Sequence, residues 1–196
     1  MFSKTMLFAS LMILGADASI RRGGCPDFTR QENFDLEAYR GQWYEAVRDR
    51  GTIFEVGAKC VTAKYTDNGD GTTRVRNNAY YDYFGWSGGT ATAYDVGVNG
   101  GLYVSFDGST PDADTQPNYN VLSTDYDNYT IVYGCSDYRF VSFELLWILS
   151  RDPVIADDVL MEAESIIAEK LPGYDMSSKS HYTRQGDSCP YEDQPE

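Results

Sequence analysis

The chain has 196 residues and a formal net charge of −14. This length is typical of one domain with a substantial core. So strong a negative charge repels nucleic-acid phosphates and anionic lipid surfaces, and we therefore exclude DNA, RNA and a polybasic membrane anchor as partners.

The first residues have the parts of an export signal. Lys4 precedes an apolar run from Met6 to Leu14, and Ala16-Asp17-Ala18 is a small-x-small cleavage site. The apolar run is far shorter than the roughly 20 residues that span a bilayer. We therefore predict a signal peptide at residues 1–18, one mature domain at residues 19–196, and secretion to the extracellular space without a membrane span.

Apolar and polar residues alternate with a period of two over most of the middle of the chain, which indicates β-strands. Glycine-containing turns at 68–71 and 99–100 are typical of hairpins. The pattern predicts eight consecutive strands joined mostly by short turns. They are predicted at residues 43–50, 59–65, 72–81, 89–96, 101–106, 119–123, 129–135 and 141–149.

The predicted order of elements decides the fold class. Strands do not alternate with helices, so a doubly wound parallel sheet is excluded. Eight sequential antiparallel strands can close into an up-and-down barrel, which removes the sheet edges and can hold one small ligand. A β-sandwich with Greek-key crossings is the alternative, although no long crossover segment is present. The predicted fold is an all-β, eight-stranded antiparallel up-and-down β-barrel.

One α-helix is predicted after these strands. Apolar residues recur at helical spacing from Ala156 to Leu171, and Pro172-Gly173 ends the pattern. Such a helix must bury its apolar stripe, and we expect it to pack outside the barrel. Leu146 and Ile148, on the outward face of the last long strand, are its candidate partners. A short closing strand is predicted at residues 179–183.

The cysteine pattern indicates structural bridges. An even number of cysteines in an exported chain predicts two disulfides, although four cysteines allow three pairings. No Cys-x-x-Cys pair occurs and His181 is the only histidine, so we expect neither a metal site nor a catalytic residue set. The cysteines are Cys25, Cys60, Cys135 and Cys189.

Three motifs, in the same order along the chain, resemble those of the lipocalin family. Residues 31–45 are similar to the first motif, residues 124–135 to the second and residues 147–153 to the third. The final helix and the cysteine-bearing tail follow as in the apolipoprotein D-like and bilin-binding-protein-like subgroup. The motif residues interpreted as structural are Gly41, Trp43, Thr124, Asp125, Tyr126 and Arg151.

The resemblance implies how the barrel is closed and tied. Trp43 would plug the closed end, with Arg151 lying across its indole ring in a cation–π contact. The implied disulfides pair Cys25 with Cys135 and Cys60 with Cys189. Both bridges would act as structural staples.

Strand phase and the resemblance together select candidate ligand-binding residues. Tyr65, Asn77, Tyr119 and Trp147 match cavity positions of the subgroup, and Phe143 shares the strand face of Trp147. An inward Asn77 could orient a ligand carbonyl or hydroxyl, because a buried amide needs hydrogen-bond partners. The alternatives are plain core packing for the aromatic residues and a water-satisfied core amide for Asn77.

An aromatic segment at Asp82–Trp86 is predicted near the open mouth. Exposed aromatic residues there could cap a ligand or contact a membrane or a partner. Alternatively, the segment is a strand end that packs on its neighbour.

Asn128-Tyr129-Thr130 is a sequon for N-linked glycosylation in a secreted chain. It lies at the turn before a predicted strand. Asn128 is the expected acceptor, and such an asparagine is often left unmodified when a tight turn buries it.

These observations favour a secreted carrier that binds a small hydrophobic molecule in its barrel. Its cargo would be of steroid, fatty-acid, tetrapyrrole or carotenoid type. No cofactor is expected beyond a bound lipid or pigment, and the sequence leaves open a receptor or a homo-oligomer. The alternatives are a lipocalin-fold isomerase or reductase acting on a lipophilic substrate and a pigment-assembly protein.

Overall fold

A computed structural model of the protein describes residues 20–196, so the predicted signal peptide at residues 1–18 lies outside the described residues. The strands are β1 Ile20–Arg22, β2 Gly41–Asp49, β3 Lys59–Asp67, β4 Thr73–Tyr81, β5 Gly85–Val98, β6 Gly101–Ser105, β7 Tyr119–Thr124, β8 Tyr129–Tyr138, β9 Val141–Ser150 and β10 Ser180–Tyr182. The helices are α1 Leu36–Tyr39, α2 Asp157–Lys170 and α3 Met176–Lys179, with 3₁₀ helices at Ile53–Glu55 and Tyr191–Asp193.

Strands β2 to β9 form a closed antiparallel barrel. Each strand pairs with its neighbours in sequence, and β9 also pairs with β2, which closes the sheet. The short strands β1 and β10 add to β9 and β2. The predicted eight-stranded up-and-down barrel is therefore confirmed, and the sandwich alternative is excluded.

The largest boundary difference concerns β5, which begins at Gly85 and not at Gly89. Gly85 pairs with Tyr81 and Trp86 with Tyr80, so the hairpin from β4 is tighter than predicted. Pairing with a neighbouring strand can override the low β-propensity of a glycine-rich segment. The loop at the mouth shrinks to residues 82–84.

The side chains of β9 alternate between two separate cores. Trp147 and Leu149 contribute to the interior cluster of the barrel. Leu146 and Ile148 face outward and pack with Ile167 of α2. Helix α2 therefore buries its apolar stripe on the outer surface of the barrel, as predicted. No helix within residues 20–196 is long and apolar enough to cross a membrane.

Two disulfides tie the ends of the chain to the barrel. Cys25 is bonded to Cys135, and Cys60 is bonded to Cys189, which confirms both implied pairings. The bridges join residues 110 and 129 positions apart. Loops of this length give about 4–5 kcal/mol of stabilisation per bridge as an upper figure from chain entropy.

The closed end of the barrel is built around Trp43, which is fully buried. The Arg151 guanidinium lies 3.7 Å from the centre of its ring system. Arg151 also donates hydrogen bonds to the backbone carbonyls of Gln42 and Tyr126 at 3.0 and 2.7 Å. Gly41 has a φ of 104°, and a Cβ there would lie only 3.1 Å from Arg151 Nη1. This close approach explains the glycine before the tryptophan.

The second motif shapes the turn between β7 and β8. The Thr124 hydroxyl donates to the Tyr129 carbonyl at 2.7 Å, and Asp125 Oδ1 accepts from the Asn128 and Tyr129 amides. Tyr126 has a φ of 69° and presents its carbonyl to Arg151. Asn128 is exposed, and its side-chain amide donates to Asp125 Oδ2 at 2.6 Å.

Candidate ligand-binding cavity

A cavity of about 280 Å³ lies inside the barrel. Its wall is formed by seven strands and by the loops at the open end. The strands are β2, β3, β4, β6, β7, β8 and β9. Most of the wall is apolar or aromatic, as in typical small-molecule sites. The aliphatic part of the wall consists of Val61, Ala63, Val75, Val104, Val132 and Leu149.

The structure brings four of the predicted ligand-binding residues to this cavity. Tyr65, Asn77, Tyr119 and Trp147 all line it. Phe143 is not among the lining residues. It lies four positions before Trp147 and pairs with Ile20 of β1, where β9 extends past the cavity toward the open end. Strand phase was therefore insufficient to place Phe143 in the cavity. Phase indicates the face of the strand on which a residue lies, but not its depth within the barrel.

Three tyrosine hydroxyls form a chain at the inner end of the cavity. The Tyr119 hydroxyl lies 2.6 Å from that of Tyr39 and 2.7 Å from that of Tyr65. Burial raises the pKa of Tyr39 to about 12 and the pKa values of Tyr65 and Tyr119 well above the usual range. All three phenols therefore stay neutral at physiological pH.

A polar cluster of Glu45, Arg48, Glu55 and Thr183 borders the other side of the cavity. Glu45 is 2% exposed and Arg48 is 4% exposed. Arg48 Nη1 donates to Glu45 Oε1 and to Thr183 Oγ1, each at 2.9 Å, and Nη2 donates to the Glu55 carbonyl at 2.8 Å. Arg48 thus links the barrel wall to the 3₁₀ helix at Ile53–Glu55.

The Glu55 carboxyl is held in its protonated form by this environment. Burial and the nearby Glu45 charge raise its pKa to about 9, against the lowering effect of Arg48. Glu55 Oε2 is buried without a hydrogen-bond partner among the described residues, and Arg48 Nε lies 3.8 Å away. The cavity therefore has a neutral carboxyl group on its wall near pH 7.

Aromatic side chains surround the open end of the barrel. Phe54 and Phe106 line the cavity and remain largely exposed. Tyr83 and Phe84, in the turn between β4 and β5, are also exposed. Trp86 instead packs edge-on against Tyr80 at 5.4 Å. The predicted mouth segment thus divides between exposed aromatic residues and a packed strand end.

Sequence reasoning missed the polar cluster. Glu45 has the same strand phase as Trp43, and this alternation could have indicated an inward carboxylate. Arg48 breaks that alternation, because a β-bulge between Glu45 and Val47 shifts the register of β2 against β9. Glu55 lies in a loop without a periodic pattern, so only the folded structure shows that it lines the cavity.

Comparisons with known proteins agree with this architecture. A family model described as the lipocalin-like domain matches residues 34–184. The Lazarillo protein of Schistocerca americana is 34% identical over 149 residues, which cover 73% of this chain and 68% of that protein. Apolipoprotein D of Mus musculus is 29% identical over 193 residues, which cover 97% of this chain and 96% of its own.

A solved structure shares the fold over most of its length. Lobster apocrustacyanin A1 superposes with a TM-score of 0.73 at 23% sequence identity. The match covers 89% of this chain and 96% of the lobster chain. This likeness concerns the fold, since the sequences have diverged widely.

Proposed function

Since the chain belongs to the lipocalin family, in its apolipoprotein D and bilin-binding group, we propose that it carries a small hydrophobic ligand inside its barrel. The observation that carries this proposal is the cavity of about 280 Å³ inside the barrel, which is lined mostly by apolar and aromatic side chains. An apolar guest gains free energy there because it leaves water. Candidate cargos are steroids, fatty acids, tetrapyrroles and carotenoids.

The size of the hydrophobic contribution supports useful affinity. A ligand that buries about 300 Å² of apolar surface gains about 7 kcal/mol before the costs of association, at about 25 cal/mol per Å². The aromatic lining adds contacts that suit flat conjugated rings. Its members are Phe54, Tyr65, Phe106, Tyr119 and Trp147.

Export to the extracellular space is part of the proposal. Both disulfides join distant parts of the chain, and such bridges form and persist in oxidising compartments. The predicted signal at residues 1–18 gives a route to such a compartment. We further propose that Asn128 carries a glycan, because its side chain is exposed at the turn between β7 and β8.

The enzyme alternative has less support. All four cysteines are in disulfides, so none is available as a thiol nucleophile. His181 lies on β10, outside the set of cavity-lining residues. Carriage of a ligand is therefore the function that these residues favour.

Titration with a neutral hydrophobic fluorophore, N-phenyl-1-naphthylamine, tests the proposal. The disulfide-bonded protein beginning at Ser19 is expected to bind one fluorophore per chain in a saturable manner, with micromolar or tighter affinity. A lipophilic competitor such as a steroid should displace it. Unsaturable uptake, or no uptake at all, would contradict the carrier function.

A further inference from the structure

The polar groups that line the cavity are nearly all satisfied by the protein. The Asn118 amide donates to and accepts from the Val104 backbone at 2.9 and 2.8 Å. The Thr62 hydroxyl donates to Gln194 Oε1 at 3.0 Å. Glu45 accepts from Arg48 and Thr183. None of these groups needs a ligand to complete its hydrogen bonds.

Glu55 and Asn77 are the exceptions. Glu55 Oε2 and Asn77 Oδ1 are both buried and have no hydrogen-bond donor among the described residues. Both side chains line the main cavity and also an adjoining pocket toward the mouth. Burial of an acceptor without a donor is unfavourable, so a ligand that supplies a donor would recover this lost free energy.

Positive charge is missing from the same wall. Among the described residues that line the cavity there is no lysine, arginine or histidine. Arg48 stands behind the wall, and its donors are used by Glu45, Thr183 and the Glu55 carbonyl. The carboxylate of a ligand would therefore lose its hydration without gaining a free cation to pair with.

We propose that Glu55 and Asn77 form a head-group subsite that accepts hydrogen bonds from the hydroxyl or amino group of a lipophilic ligand and rejects a carboxylate. This subsite rests on the proposed carrier function, because it names the polar end of the molecule that the same cavity would hold. The terminal torsion of a glutamate is broad, so a small rotation brings either oxygen of Glu55 to the ligand. A ligand ammonium would lower the raised pKa of Glu55, so that Glu55 releases its proton to solvent and pairs with the ammonium as a carboxylate.

The subsite narrows the classes of cargo. Lipophilic alcohols and amines fit it, and steroid alcohols belong to this group. Free fatty acids and tetrapyrroles with carboxylate side chains do not fit, because each would bury an anion where the described lining offers no free cation. Discrimination by an unsatisfied polar group is stronger than discrimination by apolar size alone.

Three ten-carbon compounds with different ends test the subsite: decylamine, 1-decanol and decanoate. Their dissociation constants are measured by displacement of N-phenyl-1-naphthylamine from the wild type, from Glu55→Gln and from Glu162→Gln. Glu162 is exposed on α2, so its variant controls for the same glutamate-to-glutamine change away from the cavity. We expect the ratio of decylamine to decanoate affinity to fall by about tenfold in Glu55→Gln and to stay unchanged in Glu162→Gln.

The outcomes separate the subsite from the carrier function. If all three compounds bind and the ratio is the same in Glu55→Gln and the wild type, the subsite is wrong and the carrier function stands. If neither the fluorophore nor any of the compounds binds to the wild type, the carrier function itself fails. Because E55Q keeps an acceptor oxygen, binding of 1-decanol should change less than binding of decylamine.

A second variant keeps the test decisive if Glu55→Gln does not fold. Asn77→Val removes the other acceptor and retains a residue that suits a β-strand. This variant should weaken the binding of decylamine and 1-decanol by about tenfold and leave the affinity for decanoate unchanged. Equal losses for all three compounds would contradict a role for Asn77 in selecting the head group.

Discussion

At the scale of single residues, the cavity combines an apolar lining with a few polar groups in specific places. Trp147 has a central role, because its ring lines the same cavity as the Glu55 carboxyl. Tyr65 and Tyr119 also line the cavity, and their hydroxyls are hydrogen-bonded to each other at 2.7 Å. Ligand binding is therefore expected to depend on these side chains more than on the residues that close the barrel.

Replacement of Trp147 by alanine tests this assignment. We expect Trp147→Ala to weaken binding of a hydrophobic ligand by at least about tenfold, because the ligand loses about 1.5–3 kcal/mol of apolar contact. Trp86→Ala is the matched control, since Trp86 packs on Tyr80 outside the cavity. Fluorophore titration measures both affinities. Equal affinity for Trp147→Ala and the wild type would show that Trp147 does not contact the ligand.

Glu55 also predicts a pH dependence of stability. Its pKa is about 9 in the folded protein and near 4.5 without the fold, so the folded state holds the proton more tightly. The contribution of Glu55 is complete below about pH 4.5 and is lost as the pH rises toward about 9. The charged and titratable groups that face it are Glu45, Arg48 and Tyr81.

The variant Glu55→Gln removes this titration. Its free energy of unfolding relative to the wild type should therefore rise between about pH 5 and about pH 9, as the wild type loses the Glu55 contribution. Denaturant unfolding at both pH values measures the difference, with Glu162→Gln as the control. Parallel pH profiles for Glu55→Gln and the wild type would contradict a protonated Glu55.

At the scale of elements, period-two alternation predicted the strands well, because one face of each strand is buried inside the barrel. The same alternation, together with the resemblance to the lipocalin cavity, predicted that Tyr65, Asn77, Tyr119 and Trp147 line the cavity. It failed where local geometry departs from a regular strand, as at the bulge before Arg48 and in the 3₁₀ helix that contains Glu55. Such features depend on contacts between segments that are distant in sequence, for example between Arg48 and Thr183.

Helix α2 packs against the outer surface of the barrel and does not line the cavity. Ile167 is fully buried in the outer core, whereas Met161 on the same helix is exposed. Ile167→Ala should lower the free energy of unfolding by about 2–5 kcal/mol, because it leaves a cavity in a packed core. Met161→Ala should have little effect. Ligand affinity should stay unchanged in both variants, and a weaker affinity in Ile167→Ala would link the outer core to the binding site.

At the scale of the whole molecule, several features hold one container in a fixed shape. Closure of β9 on β2 removes the sheet edges, and the contact of Arg151 with Trp43 closes one end. The two disulfides attach the N-terminal segment and the tail to this barrel. A rigid container lowers the entropic cost of binding, since little of the protein must become ordered around the ligand.

Native mass spectrometry of the protein purified from its natural source tests the central claim most directly. We expect the folded chain to exceed the mass of the same chain after unfolding by one small lipophilic molecule, which unfolding releases. The mass of that molecule should be replaced by the mass of one fluorophore when the hydrophobic fluorophore is added in excess. A folded protein that carries no such molecule, and that takes up none when lipophilic compounds are supplied, would contradict the account.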